Sequence, residues 1–421
     1  MLDVKMIREK PDLIRQELAK RGMKFDFDAF LVLDEDRRAY IVQLDTLRAE
    51  QNKASDAIRT LSEKERTVQI EKMREIKEQI SNLEERAATI ETAFTAQLLQ
   101  LPNISHESTP IGPNESGNVR VRTWGEKSSF DFEPLEHYLV PSIQKLLDCE
   151  RGAKISGSRF WYLKGALAQL DMALMHYAFD FYAKRGFTPM ITPMLVREEA
   201  MIGTGFFPAD KNEVYSVNPG EDSLFLTGTA EVPLAGYHMD EIVDLSAGPL
   251  KYMGYSSCFR REAGSYGKDM KGMLRGHQFN KVEMFIFCKP QDSWDMHEFL
   301  LQCAEEFMQS LQLHYQVLNM CTGDIGAPNA KKYDIETWMP GQNRYRETAS
   351  CSNDTDFQAR RLNTKYQTAD NKRQFVHTLN NTACADLRIM IAIIENYQQK
   401  DGSVRIPEVL HPYCGFDSIS A

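Results

Sequence analysis

Between Cys258 and Glu283 the chain gathers basic, acidic, aromatic and glycine residues in a spacing suited to phosphate chemistry. The first half reads Cys258-Phe259-Arg260-Arg261-Glu262-Ala263-Gly264-Ser265-Tyr266-Gly267-Lys268-Asp269, the second Arg275-Gly276-His277-Gln278-Phe279-Asn280-Lys281-Val282-Glu283. If both ends are strands, Arg260 and Glu262 share one face, and so do Phe279, Lys281 and Glu283, because strand side chains alternate. Gly264, Gly267, Gly272 and Gly276, with basic residues among them, suit a flexible loop closing over an anion. An arginine braced by carboxylates would present its donor fork to a phosphate in a fixed orientation. A salt-bridged surface hairpin explains an isolated Arg-x-Glu equally well, but solubility does not call for the phenylalanines and glycines gathered here.

The elements that must position these residues mix two periods. Short β-like runs (Val119–Arg122, Leu224–Thr227, Phe279–Ile286) alternate with helical stretches from Ala166 to Lys184 and from Trp294 to Leu311. Neither G-x-G-x-x-G after a strand nor G-x-x-x-x-G-K-[ST] occurs, so a nucleotide would bind without either common glycine-rich loop. The pattern predicts an α+β domain on a mostly antiparallel sheet flanked by helices. It begins after the turn-rich stretch from Leu101 to Gly117, which places a boundary near residue 110 and the second domain at 111–421.

Residues 1–110 have a different character. Pro11 and the spacing of Leu13, Ile14 and Leu18 predict one short packed helix within the first thirty residues. Tyr40, Leu44, Leu47, Gln51, Ala54, Ile58 and Leu61 then follow a 4-3-4-3-4-3 spacing, and Met73, Ile76, Ile80, Leu83, Ala87, Ile90 and Phe94 a 3-4-3-4-3-4 spacing. The phase breaks between the runs, where Ser62-Glu63-Lys64-Glu65 spells a capping box. An antiparallel helical hairpin over about 34–98 is expected, with one long helix of shifted register as the alternative. Each helix of ~30 residues would extend ~45 Å. On periodicity alone this is an oligomerisation or spacer coiled coil. Its charges are mixed: Arg37, Arg38, Arg48, Lys53, Arg59 and Lys64 are offset by Asp45, Glu50, Asp56 and Glu63. An RNA role would rest on a few phosphate contacts.

Composition bounds the classes. With 42% apolar and 26% charged residues the chain is an ordinary globular protein, and its formal net charge of −10 argues against a non-specific nucleic-acid binder while leaving room for a local basic surface. No stretch approaches the ~20 apolar residues of a membrane span, and no signal core opens the sequence, so a cytoplasmic protein without a membrane partner is expected. The eight cysteines lie scattered from Cys149 to Cys414 with no C-x-x-C pair, which predicts no structural zinc.

Taken together, the motifs resemble those of bacterial-type seryl-tRNA synthetases, class II aminoacyl-tRNA synthetases. Arg260-x-Glu262, the loop and Gly276–Glu283 look like motif 2. Lys184–Pro193 looks like motif 1, and His377–Asn380 through Arg388 and Ile394–Gln398 to Ile406–Leu410 like motif 3. Thr229-Ala230-Glu231-Val232-Pro233 resembles the serine-recognising loop, and Arg344–Asn353, continued by Asp356–Arg361, the nucleotide-binding strand. The likeness runs from Met1 nearly to the last residue, and it implies a class II catalytic domain behind a tRNA-binding coiled-coil arm.

It implies, further, activation of L-serine by ATP and transfer of the seryl group to tRNA(Ser), and to tRNA(Sec) where present, by a homodimer. Arg260, Arg388 and Glu347 would carry catalysis. ATP would meet Arg260, Arg261, Glu262, Arg275, Phe279, Glu347, Thr348, Ala349, Ser350 and Arg388, with Mg²⁺ held by Glu347 and Ser350. Serine would meet Thr229, Ala230, Glu231, Arg260, Glu283, Asn380 and Thr382. The substrate's own carboxylate is the nucleophile and is ionised at neutral pH, so positioning and electrostatics carry the step without a general base.

Three positions depart from the family pattern. Asn381 replaces the glycine of the Asn-Gly-Ser opening of motif 3, the least costly substitute if that position needs φ > 0. Leu387 stands where glycine is common and Asp354 where cysteine is common. Two other classes fit the residues less fully: a class II adenylating enzyme loading a different acceptor, and a catalytically silent RNA-binding paralogue.

Overall fold

The computed structural model describes residues 1–58, 62–221, 223–263 and 271–421; the expectations for Arg59, Leu61 and the loop glycines Gly264 and Gly267 lie outside the described residues. The chain divides into two compact units, one of residues 2–19 and 23–101, the other of Met1, 20–22 and 102–421.

Where one short helix was expected at the start, there are two, α1 (Val4–Glu9) and α2 (Pro11–Lys20). Pro11 lacks an N–H and disfavours helical backbone at the residue before it, and Lys10 accordingly leaves the helical region at φ −133°, ψ 56°. Helices α3 (Phe27–Ala57) and α4 (Glu63–Leu98) follow, uninterrupted by glycine or proline. Asp26 caps α3 by accepting from the Ala29 N–H at 3.0 Å. The predicted box opens α4, the Ser62 N–H donating to Glu65 Oε2 at 3.1 Å.

The two long helices form the antiparallel hairpin. Phe30 stacks on Phe94 at 5.2 Å, Arg37 pairs with Glu91 and Arg48 with Glu84, so partner numbers fall on one helix as they rise on the other. Each described seam residue named above is buried or half-buried, and every residue between them within each run is exposed. Leu44, Ile76 and Ile80 are the buried centre, with Leu47, Leu83 and Ala87 packed against them. Burial of such side chains, roughly 1.5–3 kcal/mol each, outweighs the exposed ion pairs at about 0–1 kcal/mol.

The larger unit is built on an eight-stranded sheet: β1 (Val119–Trp124), β2 (Thr188–Ile191), β3 (Leu250–Phe259), β4 (Gln278–Cys288), β5 (Tyr315–Asn319), β6 (Lys331–Met339), β7 (Arg344–Thr355) and β8 (His377–Ala385). The spatial order is β1-β5-β6-β7-β8-β4-β3-β2, and every pairing is antiparallel except β2 with β3. Helices α5 (Ala166–Ala183), α6 (Glu231–Ala235), α7 (Ser293–Ser310), α8 (Phe357–Leu362) and α9 (Asp386–Tyr397) flank it. The mostly antiparallel α+β domain and the coiled-coil arm are therefore both present.

Strand alternation sorts the sheet's two faces. From β4, Val282, Met284 and Ile286 join the core formed with Leu170 and Leu174 of α5, Leu300 and Phe307 of α7, and Ile391 and Ile394 of α9. The residues between them point the other way: Phe279, Lys281 and Glu283 to a polar cleft, Phe285 and Phe287 to a second apolar cluster with Ala230, Leu234 and Leu362.

Candidate active site

Two bulges decide which side chains reach the cleft. In β7 the register with β6 shifts between Ile335 and Glu336: Ser350 lies opposite Asp334, Ala349 opposite Ile335, but Glu347 opposite Glu336. Thr348 is the extra residue, and the parity of the strand reverses there. Ala349 and Cys351 enter the core while both Glu347 and Ser350 line the cleft. Without the bulge, residues three apart would face opposite sides. A second shift, where Val282 pairs with Cys384 and Glu283 with Thr382, sets Thr382 beside Glu283.

The cleft consists of two adjoining cavities. The first, of about 660 Å³, is lined by Arg260, Glu262, Arg275, Gly276, Phe279, Thr348, Leu387 and Arg388 among others. The second, of about 1130 Å³, is lined by Thr229, Glu231, Glu283, Lys332, Ser350, Asn380 and their neighbours. Arg260, Lys281, Glu347 and Thr382 line both and so form the junction.

Strand β3 ends at Phe259, so Arg260 and Glu262 come together through the backbone beyond it: the Arg260 N–H donates to the His277 carbonyl at 3.0 Å, and Glu262 adopts φ 51°. The Arg260 guanidinium sits 5.1 Å over the Phe279 ring, and its Nε donates to the Gly228 carbonyl at 3.3 Å. Arg275 Nη1 donates to Glu262 Oε2 at 3.0 Å. The adjacent Gly276 is obligatory, since a Cβ there would lie 2.1 Å from the Trp161 ring. Arg388, in the first turn of α9, donates from Nη1 to the Glu347 carbonyl at 2.7 Å and stands 3.2 Å from the Glu347 carboxylate. Burial pushes the Glu347 carboxyl up, but Arg388, Lys332 and Arg260 outweigh it and hold the group at about 2. Its side chain keeps 42% of its surface exposed.

The second cavity is built from buried polar groups. Lys281 and Glu283 form an ion pair. Thr229 Oγ1 donates to Glu283 Oε2 at 3.3 Å and accepts the Glu231 N–H at 3.1 Å. Glu231 Oε1 accepts from Gln358 Nε2 at 2.8 Å and from Asn380 Nδ2 at 3.1 Å. Burial, then the charges of Asp354 and Glu283, push the Glu231 carboxyl up to about 8. Asp354 is pushed up to about 7 by burial, as is Asp334, despite the Lys332 ammonium 3.1 Å from Asp334.

These shifts carry a stability consequence. Glu231, Asp334 and Asp354 hold protons more tightly in the folded than in the unfolded chain, so their stabilisation is complete below the ordinary carboxylate range and is lost as pH rises through about 7 to 8. The Met1 amino group, lowered by burial, acts oppositely, while Asp386, raised well above the usual carboxylate range by burial and by Asp171, acts with the three. The melting temperature of the ligand-free protein should therefore fall between about pH 7 and pH 9, by on the order of 5 °C. Scanning fluorimetry at fixed ionic strength checks this, and a flat or rising curve contradicts it.

Of the residues singled out from the sequence, three line neither cavity. Arg261 is exposed and its N–H donates to the Glu213 carbonyl at 2.9 Å; Ala349 and Ala230 are buried in apolar clusters on the core side of their elements. Lys281, Leu387, Lys332, Asn329 and Gln358 line or brace the cavities but were not among the expected site residues. Alternation in β4 placed Lys281 on the cleft face with Phe279 and Glu283; nothing local marks the others. Asn381 is not among the positive-φ residues: it is fully buried in β8 and donates from Nδ2 to the Leu300 carbonyl at 2.9 Å. Leu387 is 6% exposed and packs in the core at the edge of the first cavity.

Comparison with known proteins places this geometry. Residues 213–397 match the family model for the tRNA synthetase class II core domain (G, H, P, S and T), and residues 1–105 that for the seryl-tRNA synthetase N-terminal domain. The serine--tRNA ligase of Thermodesulfovibrio yellowstonii is 44% identical over 425 residues, covering all of both chains. The chain belongs to the seryl-tRNA synthetase family. Among solved seryl-tRNA synthetases, the Pyrococcus horikoshii enzyme complexed with ATP is similar at TM-score 0.91 and 42% identity, covering 100% of this chain and 99% of that one. The cytoplasmic serine-tRNA ligase of Naegleria fowleri in complex with AMP is similar at TM-score 0.87 and 35% identity, with coverage of 100% and 99%. Among the described residues of this seryl-tRNA synthetase family member, no group of three or more His, Cys, Asp or Glu side chains could hold a metal ion, and no helix is long and apolar enough to cross a membrane.

Proposed function

We propose that the chain activates L-serine with ATP at the junction of the two cavities and then transfers the seryl group to the 3′ end of tRNA(Ser), and of tRNA(Sec) where present. The observation that carries this reading is the sharing of Arg260, Lys281, Glu347 and Thr382 by the two cavities: a nucleotide in one and an amino acid in the other would meet there.

In this reading adenine stacks on Phe279 in the first cavity, with Glu262 accepting from its amino group, and Arg275, Arg388 and Thr348 hold the nucleotide. Glu283 takes the ammonium of serine, and Thr229, Glu231, Asn380 and Thr382 surround its hydroxyl. The serine carboxylate attacks the α-phosphorus, the bond to the β-phosphate oxygen breaks, and pyrophosphate leaves with its electron pair. Arg260 neutralises the charge that gathers on the α-phosphate oxygens. A ribose hydroxyl of the tRNA end then attacks the carbonyl carbon, and AMP departs. Glu347, ionised and open to the cleft, and Ser350 on the same side offer the hard oxygen donors that Mg²⁺ prefers. Mg²⁺ bound there would screen repulsion between the phosphates.

Residues 1–110 are read as the tRNA-binding domain and 111–421 as the catalytic domain, in a cytoplasmic homodimer. An apolar strip along edge strand β2 supports pairing with a second copy: Ile191 is 82% exposed, and Met194 at 40% and Leu195 at 42% continue it.

Pyrophosphate exchange into ATP, run with each of the twenty amino acids, tests the assignment. Serine alone should drive exchange, at least about 100-fold above alanine, because a pocket built to bond a hydroxyl rejects the analogue lacking it. Exchange driven by a different amino acid would remove the serine assignment, and none at all would favour the silent paralogue.

A further inference from the structure

Asp354 stands at a position that neither the reaction nor the family pattern explains. It is fully buried and lines neither cavity, yet both of its carboxylate oxygens are engaged toward the amino-acid pocket. Asn329 Nδ2 donates to Oδ1 at 2.6 Å, and Asn380 Nδ2 donates to Oδ2 at 3.3 Å. The same Asn380 nitrogen donates to Glu231 Oε1 at 3.1 Å, so one amide spans the two carboxyls. Gln358 Nε2 fills the rest of Glu231 Oε1, and Gln358 is itself oriented by the Thr378 hydroxyl, which donates to its Oε1 at 2.9 Å. With Oε1 occupied by two amides, Glu231 has Oε2 left for the pocket.

We propose that Asp354 is a positioning residue whose negative charge, set beside Glu231 across the shared Asn380 amide, keeps Glu231 a hydrogen-bond donor toward the amino acid's hydroxyl and so reserves Glu283 for its ammonium group. The proposal rests on the serine-activation reading above. A second ionised carboxylate in this pocket would compete with Glu283 for the substrate ammonium and draw it toward the side-chain position. A neutral Glu231 removes that competition and presents Oε2–H to the hydroxyl oxygen. The charged groups acting on Glu231 are Asp354 from β7, Glu283 and Lys281 from β4, with the Gln358 amide from α8; those acting on Asp354 are Arg21 and the Met1 ammonium. After burial, Asp354 is the largest influence holding the proton on Glu231, which titrates at about 8.

The test is serine-dependent pyrophosphate exchange from about pH 6 to 8.5, with KM for serine and for ATP measured separately. In the unaltered enzyme serine KM should rise as pH passes about 8. Asp354→Asn removes the charge and leaves one oxygen for two amide donors; Asp354→Cys removes the charge without adding an amide. In both, the midpoint should move down by about one pH, serine KM at pH 7.5 should rise ~3-fold, and KM for ATP should stay within about twofold. A merely structural role would move both KM values together and leave the midpoint in place. Either result, or a serine KM that is flat with pH in the unaltered enzyme, overturns the proposal whether or not the variants fold. Robust serine exchange with unmoved variants defeats only the role of Asp354; absence of serine exchange in the unaltered enzyme defeats the serine reading itself and the proposal with it.

Discussion

Replacing Arg260 by alanine is expected to lower serine-dependent pyrophosphate exchange by about 10³-fold or more, with the thermal melt unchanged within about 2 °C. The guanidinium lines both cavities and is held by the Gly228 carbonyl and the Phe279 ring, so it is preorganised at the point where the α-phosphate would gather charge. Removing one such preorganised donor costs about 10²–10³-fold, and a full positive charge exceeds a neutral donor. The fold should tolerate the change because Arg260 lies beyond the end of β3 and contributes its backbone N–H, which alanine keeps, to the His277 carbonyl. The neighbouring Arg261→Ala is the matched control: exposed and outside both cavities, it should leave exchange within about twofold. Exchange within about tenfold of the unaltered rate for Arg260→Ala would place the transferring phosphate elsewhere.

The second large effect concerns the hairpin. Deleting residues 36–94 and joining the ends by a short glycine linker should leave exchange within about twofold while lowering transfer of serine to tRNA(Ser) by about 100-fold or more. The antiparallel pairing makes the deletion feasible. Phe30 stacks on Phe94 and Arg37 pairs with Glu91, so the cut ends lie on facing helices, ~8–10 Å apart at the axes, and three or four residues can close the gap. The reactions separate because serine, ATP and the residues proposed to bind them need only the catalytic cleft, whereas tRNA is held by many contacts to its backbone and shape. Loss of those contacts weakens binding steeply without touching the adenylation step. Exchange and charging assayed on the same preparation decide it, and equal retention of both would return the hairpin to a spacer.

The hairpin and β4 illustrate what was legible beforehand. The seam from Tyr40 to Phe94 could be marked residue by residue because a heptad is a local signal, written in residues three or four apart that end on one stripe. In β4 the same holds at period two, which put Phe279, Lys281 and Glu283 on one face before any fold was known. Local signals failed where one residue altered the count. Lys10 ahead of Pro11 split an expected single helix into α1 and α2. The condition under which Asn381 would stand in for glycine, a positive φ, is not met: it sits in regular strand and bonds the Leu300 carbonyl of α7, a partner 81 residues away that no local pattern announces.

What the sequence by itself determined is the set of elements and the chemical types available: the two heptad runs, the capping box between them, the alternating strands, and arginines, carboxylates and glycines at fixed intervals. These follow from helix and strand periodicity and from backbone preferences acting over a few residues. Only the tertiary structure decided which of those groups share a cavity. The bulge at Thr348 turns Glu347 and Ser350 to one side against the strand's own period, and Asn380 joins Glu231 to Asp354 across 149 and 26 residues of chain. Such meetings depend on sheet register and on close packing between distant segments, and neither quantity is encoded within any short window of residues.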